Sequence, residues 1–163
     1  MGEYAHAFVD HKGESILIET LGERTCQGLI DMYRAYEPKD SFDGLPPIKD
    51  AACVEWVQRM FQTGINLVAL SSDGSVAGHA AIFPMNRRKC EMLMAVAPRF
   101  QNMGIGTELS RRSIELAREL GFERMWLSVE SRNARAKHVF KKCGFQSSGD
   151  EDPRDAEMVL ELT

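Results

Sequence analysis

The stretch "MAVAPRFQNMGIGTEL", residues 94–109, constrains the fold more than any other. Its apolar run ends at Ala97-Pro98, where proline removes a ladder donor and stops a strand. A polar turn follows, two glycines flank Ile105, and a helical pattern begins. At about 100° per residue, Ile105, Leu109, Leu116, Ala117 and Leu120 fall on one side. Thr107, Glu108, Arg111, Arg112, Glu115, Arg118 and Glu119 fill the other, so the helix is amphipathic, and Gly121 ends it. A strand that turns into such a helix normally continues into a parallel neighbour. The returning strand is predicted at "RMWLSVES", 124–131.

The rest of the chain supplies elements for the same layers. "ESILIETL" (14–21) reads as a strand that pairs with "YAHAFVD" across the turn at 11–13. Residues 23–37 read as a helix with Cys26, Leu29, Ile30 and Tyr33 inward, stopped by Pro38. Residues 38–47 are a loop by their proline and glycine content. A second helix over 49–62 turns Cys53, Val57, Met60 and Phe61 inward. Then the period becomes two. Residues 65–71 and 75–83 form a hairpin across Asp73-Gly74, and 86–89 turns into a strand over 90–97. Residues 133–143 are a further amphipathic helix, and two last strands flank the charged loop "DEDPRD". The order is β-α-α-β-β-β-α-β-α-β-β. It predicts an α/β (α+β) fold with a mixed, mostly antiparallel sheet and helices on both faces, in a single domain over 1–163.

Composition excludes several classes. A net charge of −4 argues against a general nucleic-acid partner. No window carries the roughly 18 apolar residues of a membrane span. The opening "MGEYAHAFVD" has no signal-peptide pattern, and His6 spoils a myristoylation signal at Gly2. Cys26, Cys53, Cys90 and Cys143 form no CxxC pair, and the four histidines have no HExxH spacing. No metal site is expected, and reduced thiols in a cytoplasmic protein are. A homodimer stays open.

The glycine turn has a chemical reading. A helix N-terminus leaves backbone N–H groups unpaired and carries about half a positive charge. Glycines let several of these donors approach one phosphate, so "QNMGIG" reads as an anion cradle, although a tight turn needs glycines too. Leu109 stands where a Rossmann fingerprint needs a small residue, and the Gly-Lys-Ser/Thr of a P-loop is absent.

Gln101, Gly104 and Gly106 match Gln/Arg-x-x-Gly-x-Gly/Ala, and this pattern resembles motif A of the GNAT N-acetyltransferase superfamily. The similarity runs on through Asn133, Ala136, Gly144 and Phe145 and covers about 65–146. It implies a co-substrate, acetyl-CoA, lying in the gap beside the 90–97 strand. The backbone of Met94, Ala95 and Val96 would bond the pantetheine, with the Val96 N–H as oxyanion donor. Gln101, Asn102, Met103, Gly104, Ile105, Gly106 and Thr107 would hold the pyrophosphate. Met103 stands where the family often has Arg or Lys; either Arg99 compensates or the cofactor binds less tightly. Asn133 matches an asparagine that steadies the thiol end, and equally suits a helix N-cap.

The implied acceptor is an amine, which must lose a proton before it attacks. At pH 7 that costs about 4–5 kcal/mol for a lysine-like amine and about 1 for an α-amine. Glu91 matches a family glutamate that serves as base, and also suits a strand residue paired with Arg87 or Arg88. Glu130 is the second candidate, and also suits a solvated strand end. Phe140, on the cofactor side, replaces the tyrosine that protonates the thiolate in many relatives. His138 falls on the opposite helix face, and Cys143 reads as a packing residue. A thiol of pKa about 8.5 needs only about 2 kcal/mol to leave as thiolate at pH 7, so water can replace the acid. By the same resemblance the 38–47 loop walls the acceptor site. There Glu37, Asp40 and Asp43 would attract a cation, or are acidic because they are solvated. The expected function is N-acetyl transfer to a small-molecule or protein amine. The alternative is a CoA-binding sensor that has lost catalysis.

Overall fold

The computed structural model describes residues 4–39, 44–149 and 153–163. Asp40, Asp43 and the start of the "DEDPRD" loop lie outside them. The first hairpin joins β1 (Ala5–Val9) to β2 (Ser15–Thr20), with Ala5 opposite Glu19 and Val9 opposite Ser15. Asp10 fixes its turn by accepting from the Lys12 and Glu14 N–H groups at 2.9 Å. The sheet thus has an edge strand ahead of the order read from the sequence.

Two helices follow, α1 (Glu23–Ala35) and α2 (Asp50–Thr63). Then come β3 (Ile65–Leu70), β4 (Val76–Pro84) and β5 (Lys89–Val96). A single 3-10 turn, Pro98–Phe100, leads to α3 (Ile105–Glu119). The chain ends in β6 (Arg124–Glu130), α4 (Ala134–Lys142), β7 (Gln146–Ser147) and β8 (Asp155–Glu161). The strand order is β1-β2-β3-β4-β5-β6-β8-β7, antiparallel throughout except for β5 and β6. That parallel pair is the one the glycine turn predicts.

Alternation along the strands builds two cores. Ile18, Leu67, Ala80, Met92, Leu127 and Met158 face α3 and α4. Val68, Ala95 and the inner sides of α1 and α2, with Leu29, Tyr33, Cys53 and Val57, form the other. Gly78 on β4 makes the first close: a Cβ there would stand 2.8 Å from Leu109 of α3.

Three expectations about facing fail. Phe61 is 37% exposed, because Cys53, Val57 and Met60 already complete the inner stripe of α2 and Phe61 lies a further 100° round. Leu120 is 42% exposed because it is the C-cap, beyond the last helical turn. Thr107 is buried rather than solvated. Its flank of α3 is covered by α4, whose Cys143 thiol lies 4.0 Å from the Thr107 carbonyl oxygen. Ser110 and Ser113 are buried as well, so with Gly106 and Ala117 a row of small residues seats α3 on the sheet.

A buried polar chain crosses the second core. Asn66 Nδ2 donates to the Met60 carbonyl at 2.8 Å, which turns its Oδ1 to His79 Nε2 at 2.9 Å. His79 therefore carries its proton on Nε2, and its Nδ1 accepts from the Tyr33 hydroxyl at 2.7 Å. Burial pushes the His79 pKa down to about 3.

Candidate functional site

The β5–β6 ladder covers three rungs, Lys89 with Arg124, Cys90 with Met125 and Glu91 with Trp126. Beyond Glu91 the strands part. Ala97 N–H donates to Ala77 O on β4, so by antiparallel alternation Ala95 also turns its backbone groups to β4. Met94 and Val96 turn theirs to the gap. Among the expected pantetheine partners, Met94 and Val96 offer backbone bonds, and Ala95 contributes only to the wall.

A cleft of about 580 Å³ opens where the strands separate. Met94, Ala95 and Val96 form one side, Gln101, Asn102, Gly104, Gly106 and Thr107 another, and Arg132–Ala136 with Val139 the third. Tyr36 and Phe100 close one end. The loop takes left-handed conformations at Asn102 (φ 65°) and at Gly104 (φ 90°), the N-cap of α3. These turn consecutive N–H groups outward. Gln101 N–H returns to Pro98 O, and Glu108 N–H bonds Gly104 O. The amides from Asn102 to Thr107 donate to no protein acceptor among the described residues. The loop expected to cradle an anion thus presents donors that have no acceptor among the described residues.

The side chains divide the expected residues. Met103 packs against the α3 core and Ile105 lies inside it, which leaves only their amides for the expected cradle. Asn133 lines the cleft and also caps α4, its Oδ1 accepting from Ala136 N–H at 3.0 Å. Phe140 is 5% exposed, with its ring against Phe145, and does not line the cleft. Its place on α4 turns it into the core, and Val139 takes the cleft side. His138 is exposed and Cys143 half-buried.

Arg99 does not compensate for Met103. Its guanidinium donates to Ser75 Oγ at 3.1 Å, lies 4.5 Å over the Phe100 ring and faces a separate groove with Asp31 and Asp73. The cations at the cleft are Arg132 and Arg135, at the start of α4. Arg135 Nη1 donates to Gln101 Oε1 at 3.0 Å, while Gln101 Nε2 donates to Val96 O at 3.0 Å and reaches the Tyr36 hydroxyl at 3.5 Å. Desolvation raises the Tyr36 pKa and keeps the phenol neutral. Sequence reasoning missed Tyr36, Arg132 and Arg135. Only the two arginines carried a signal, lying beside Asn133 within the similarity over about 65–146.

Glu91 and Glu130 both sit on the α1/α2 face, half-buried, but at different heights. Glu91 is on the last paired rung, four residues before Ala95, or about 13 Å at 3.3 Å per residue. Continuing the Glu91–Trp126 register brings Glu130 abreast of Ala95 across the opened gap.

The family described as the Acetyltransferase (GNAT) family matches residues 28–145. Streptothricin acetyltransferase of Streptomyces lavendulae is 38% identical over 84 residues, 50% of this chain and 44% of that protein. Spermidine N(1)-acetyltransferase of Escherichia coli K12 is 26% identical over 121 residues, 70% of this chain and 59% of that one. The chain thus spans about half the length of the curated relatives it matches. The yncA protein of Salmonella typhimurium, solved with its cofactor acetyl-CoA, superimposes with a TM-score of 0.74 at 21% identity. That match covers 91% of this chain and 94% of that one.

Proposed function

Because the chain belongs to the GNAT acetyltransferase family, we propose that it moves an acetyl group from acetyl-CoA to a primary amine by direct attack in a ternary complex. The observation that carries this reading is the run of amides from Asn102 to Thr107, without acceptors among the described residues, in a loop whose Asn102, Gly104, Gly106 and Thr107 line the cleft beside Met94 and Val96. Such donors fit a diphosphate, and the free edge of β5 fits an extended amide chain. Acetyl-CoA supplies the activated thioester when bound.

The chain's own groups then have separable tasks. The amides of residues 102–107 hold the diphosphate, and the Met94 and Val96 backbone orients the pantetheine. The Val96 N–H, aimed into the gap, stabilises negative charge as it develops on the carbonyl oxygen. Glu130 takes the amine's proton through water, since its height matches that of Ala95. Glu91, some 13 Å back along the strand, needs a longer chain of waters. Phe140, in the place of the family tyrosine, is in the core, so the thiolate leaves and is protonated by solvent. The relatives named for streptothricin and spermidine support an amine acceptor.

Phe140 also supports a second reading, a CoA-binding sensor without turnover. Thermal shift with CoA and thiol release across a panel of amines separate the two. Saturation at a hundred times Kd should add about 2.7 kcal/mol of stability. Thiol release with at least one amine identifies the enzyme; a shift with no release from any amine identifies the sensor. Absence of any shift with CoA overturns both.

A further inference from the structure

We infer that Arg135 is the cation that binds the diphosphate, supplied by α4 because the glycine loop provides none; this rests on the CoA-binding reading above. The loop offers unpaired amides but no charge. Met103 is turned into the core, and Arg99 is occupied by Ser75 and Phe100 outside the cleft. A diphosphate carries more negative charge than the half charge of a helix end balances. Arg135 stands on the opposite wall and is tied to the loop by one hydrogen bond, Nη1 to Gln101 Oε1 at 3.0 Å. It forms no ion pair with an acidic side chain among the described residues. A guanidinium has five N–H donors in a fork that suits two phosphoryl oxygens. The bond to Gln101 leaves four of them available, beside the amides of residues 102–107. The same Gln101 side chain donates to Val96 O, an edge group of the pantetheine gap. The tether therefore holds the cation at the junction of pantetheine and diphosphate.

The experiment is calorimetric titration of CoA and 3′-dephospho-CoA into the wild type, Arg135→Ala, Gln101→Ala and the double variant. Arg135→Ala is expected to weaken both ligands alike, by about tenfold or more, the size of a charge-assisted hydrogen bond. It should weaken them further in the Gln101→Ala background. A loss seen with CoA but not with dephospho-CoA moves the contact to the 3′-phosphate and overturns the assignment. A loss that disappears in the Gln101→Ala background reduces Arg135 to a prop for the glutamine and also overturns it. Unchanged affinity does the same. If the wild type binds neither ligand, the underlying reading fails instead. Arg135 is exposed, so its removal should leave the melting temperature unchanged.

Discussion

Glu91 and Glu130 show how much a single rung of register decides. Both are glutamates on the α1/α2 face of neighbouring strands, but only Glu130 stands level with the opened part of the gap. Glu130→Gln should therefore lower kcat at pH 7 by about 10²-fold, a usual size for losing a general base. Glu91→Gln should cost less than about tenfold. The loss at Glu130 should be larger for a lysine-like amine than for an α-amine, because the former needs about 3 kcal/mol more to deprotonate. Steady-state kinetics of both variants with both acceptors check this; an equal loss at the two sites would remove the distinction. Ser110 tests packing in the same way. Its Oγ is buried with no hydrogen-bond partner among the described residues, so Ser110→Ala removes a desolvated hydroxyl and adds helix propensity. Urea unfolding should show a gain of about 0.5–1.5 kcal/mol.

At the scale of elements, the turn into α3 separates what glycine does for the backbone from what it does for the ligand. Gly104 has φ 90°, and a Cβ there would lie 2.7 Å from His11 Nε2. Gly104→Val should lower stability by 1 kcal/mol or more as well as weakening CoA, so it cannot isolate the cradle. Gly106 is helical, and its Cβ would point at Met94 Cε (3.2 Å) and Val96 Cγ2 (3.4 Å), side chains at the pantetheine gap. Gly106→Val should therefore raise the Kd for CoA and, with no positive φ to strain, cost less stability than Gly104→Val. Calorimetry beside thermal unfolding tells the two variants apart. The turn itself was legible in the sequence because Pro98, Gly104 and Gly106 act locally: one stops a strand and the others shape the turn. Asn133 was legible for the same reason, as the N-cap of α4. Tyr36 and Arg135 were not, because they reach the cleft from α1 and α4 through packing that no local period encodes. Ser110 and Ser113 were missed because their polarity hid a stripe chosen for small size.

At the scale of the whole molecule, His79 links four elements. Tyr33 of α1, His79 of β4, Asn66 of β3 and the Met60 carbonyl of α2 form one line of hydrogen bonds. Tyr33 also meets Trp56 of α2 edge-on, with ring centroids 4.6 Å apart. The sequence showed only a histidine in a strand. Its burial is a property of the layer above it. Burial lowers the folded-state pKa to about 3, against 6.5 for an unperturbed histidine. The unfolded chain therefore binds the proton first on acidification. The stability tied to neutral His79 is complete above pH 6.5, and is lost progressively as the pH falls from there to about 3. At pH 4.5, two units below 6.5 at about 1.36 kcal/mol each, the loss is about 3 kcal/mol. His79→Gln should lower stability at neutral pH, since Tyr33 and Asn66 lose matched partners. It should also reduce the fall between pH 7.5 and 4.5 by about 2–3 kcal/mol. Urea unfolding of both proteins at the two pH values measures that difference, and carboxylate titrations common to both cancel. An undiminished fall in the variant would mean that His79 becomes protonated in the folded protein, with α1 loosened from the sheet beneath the cleft.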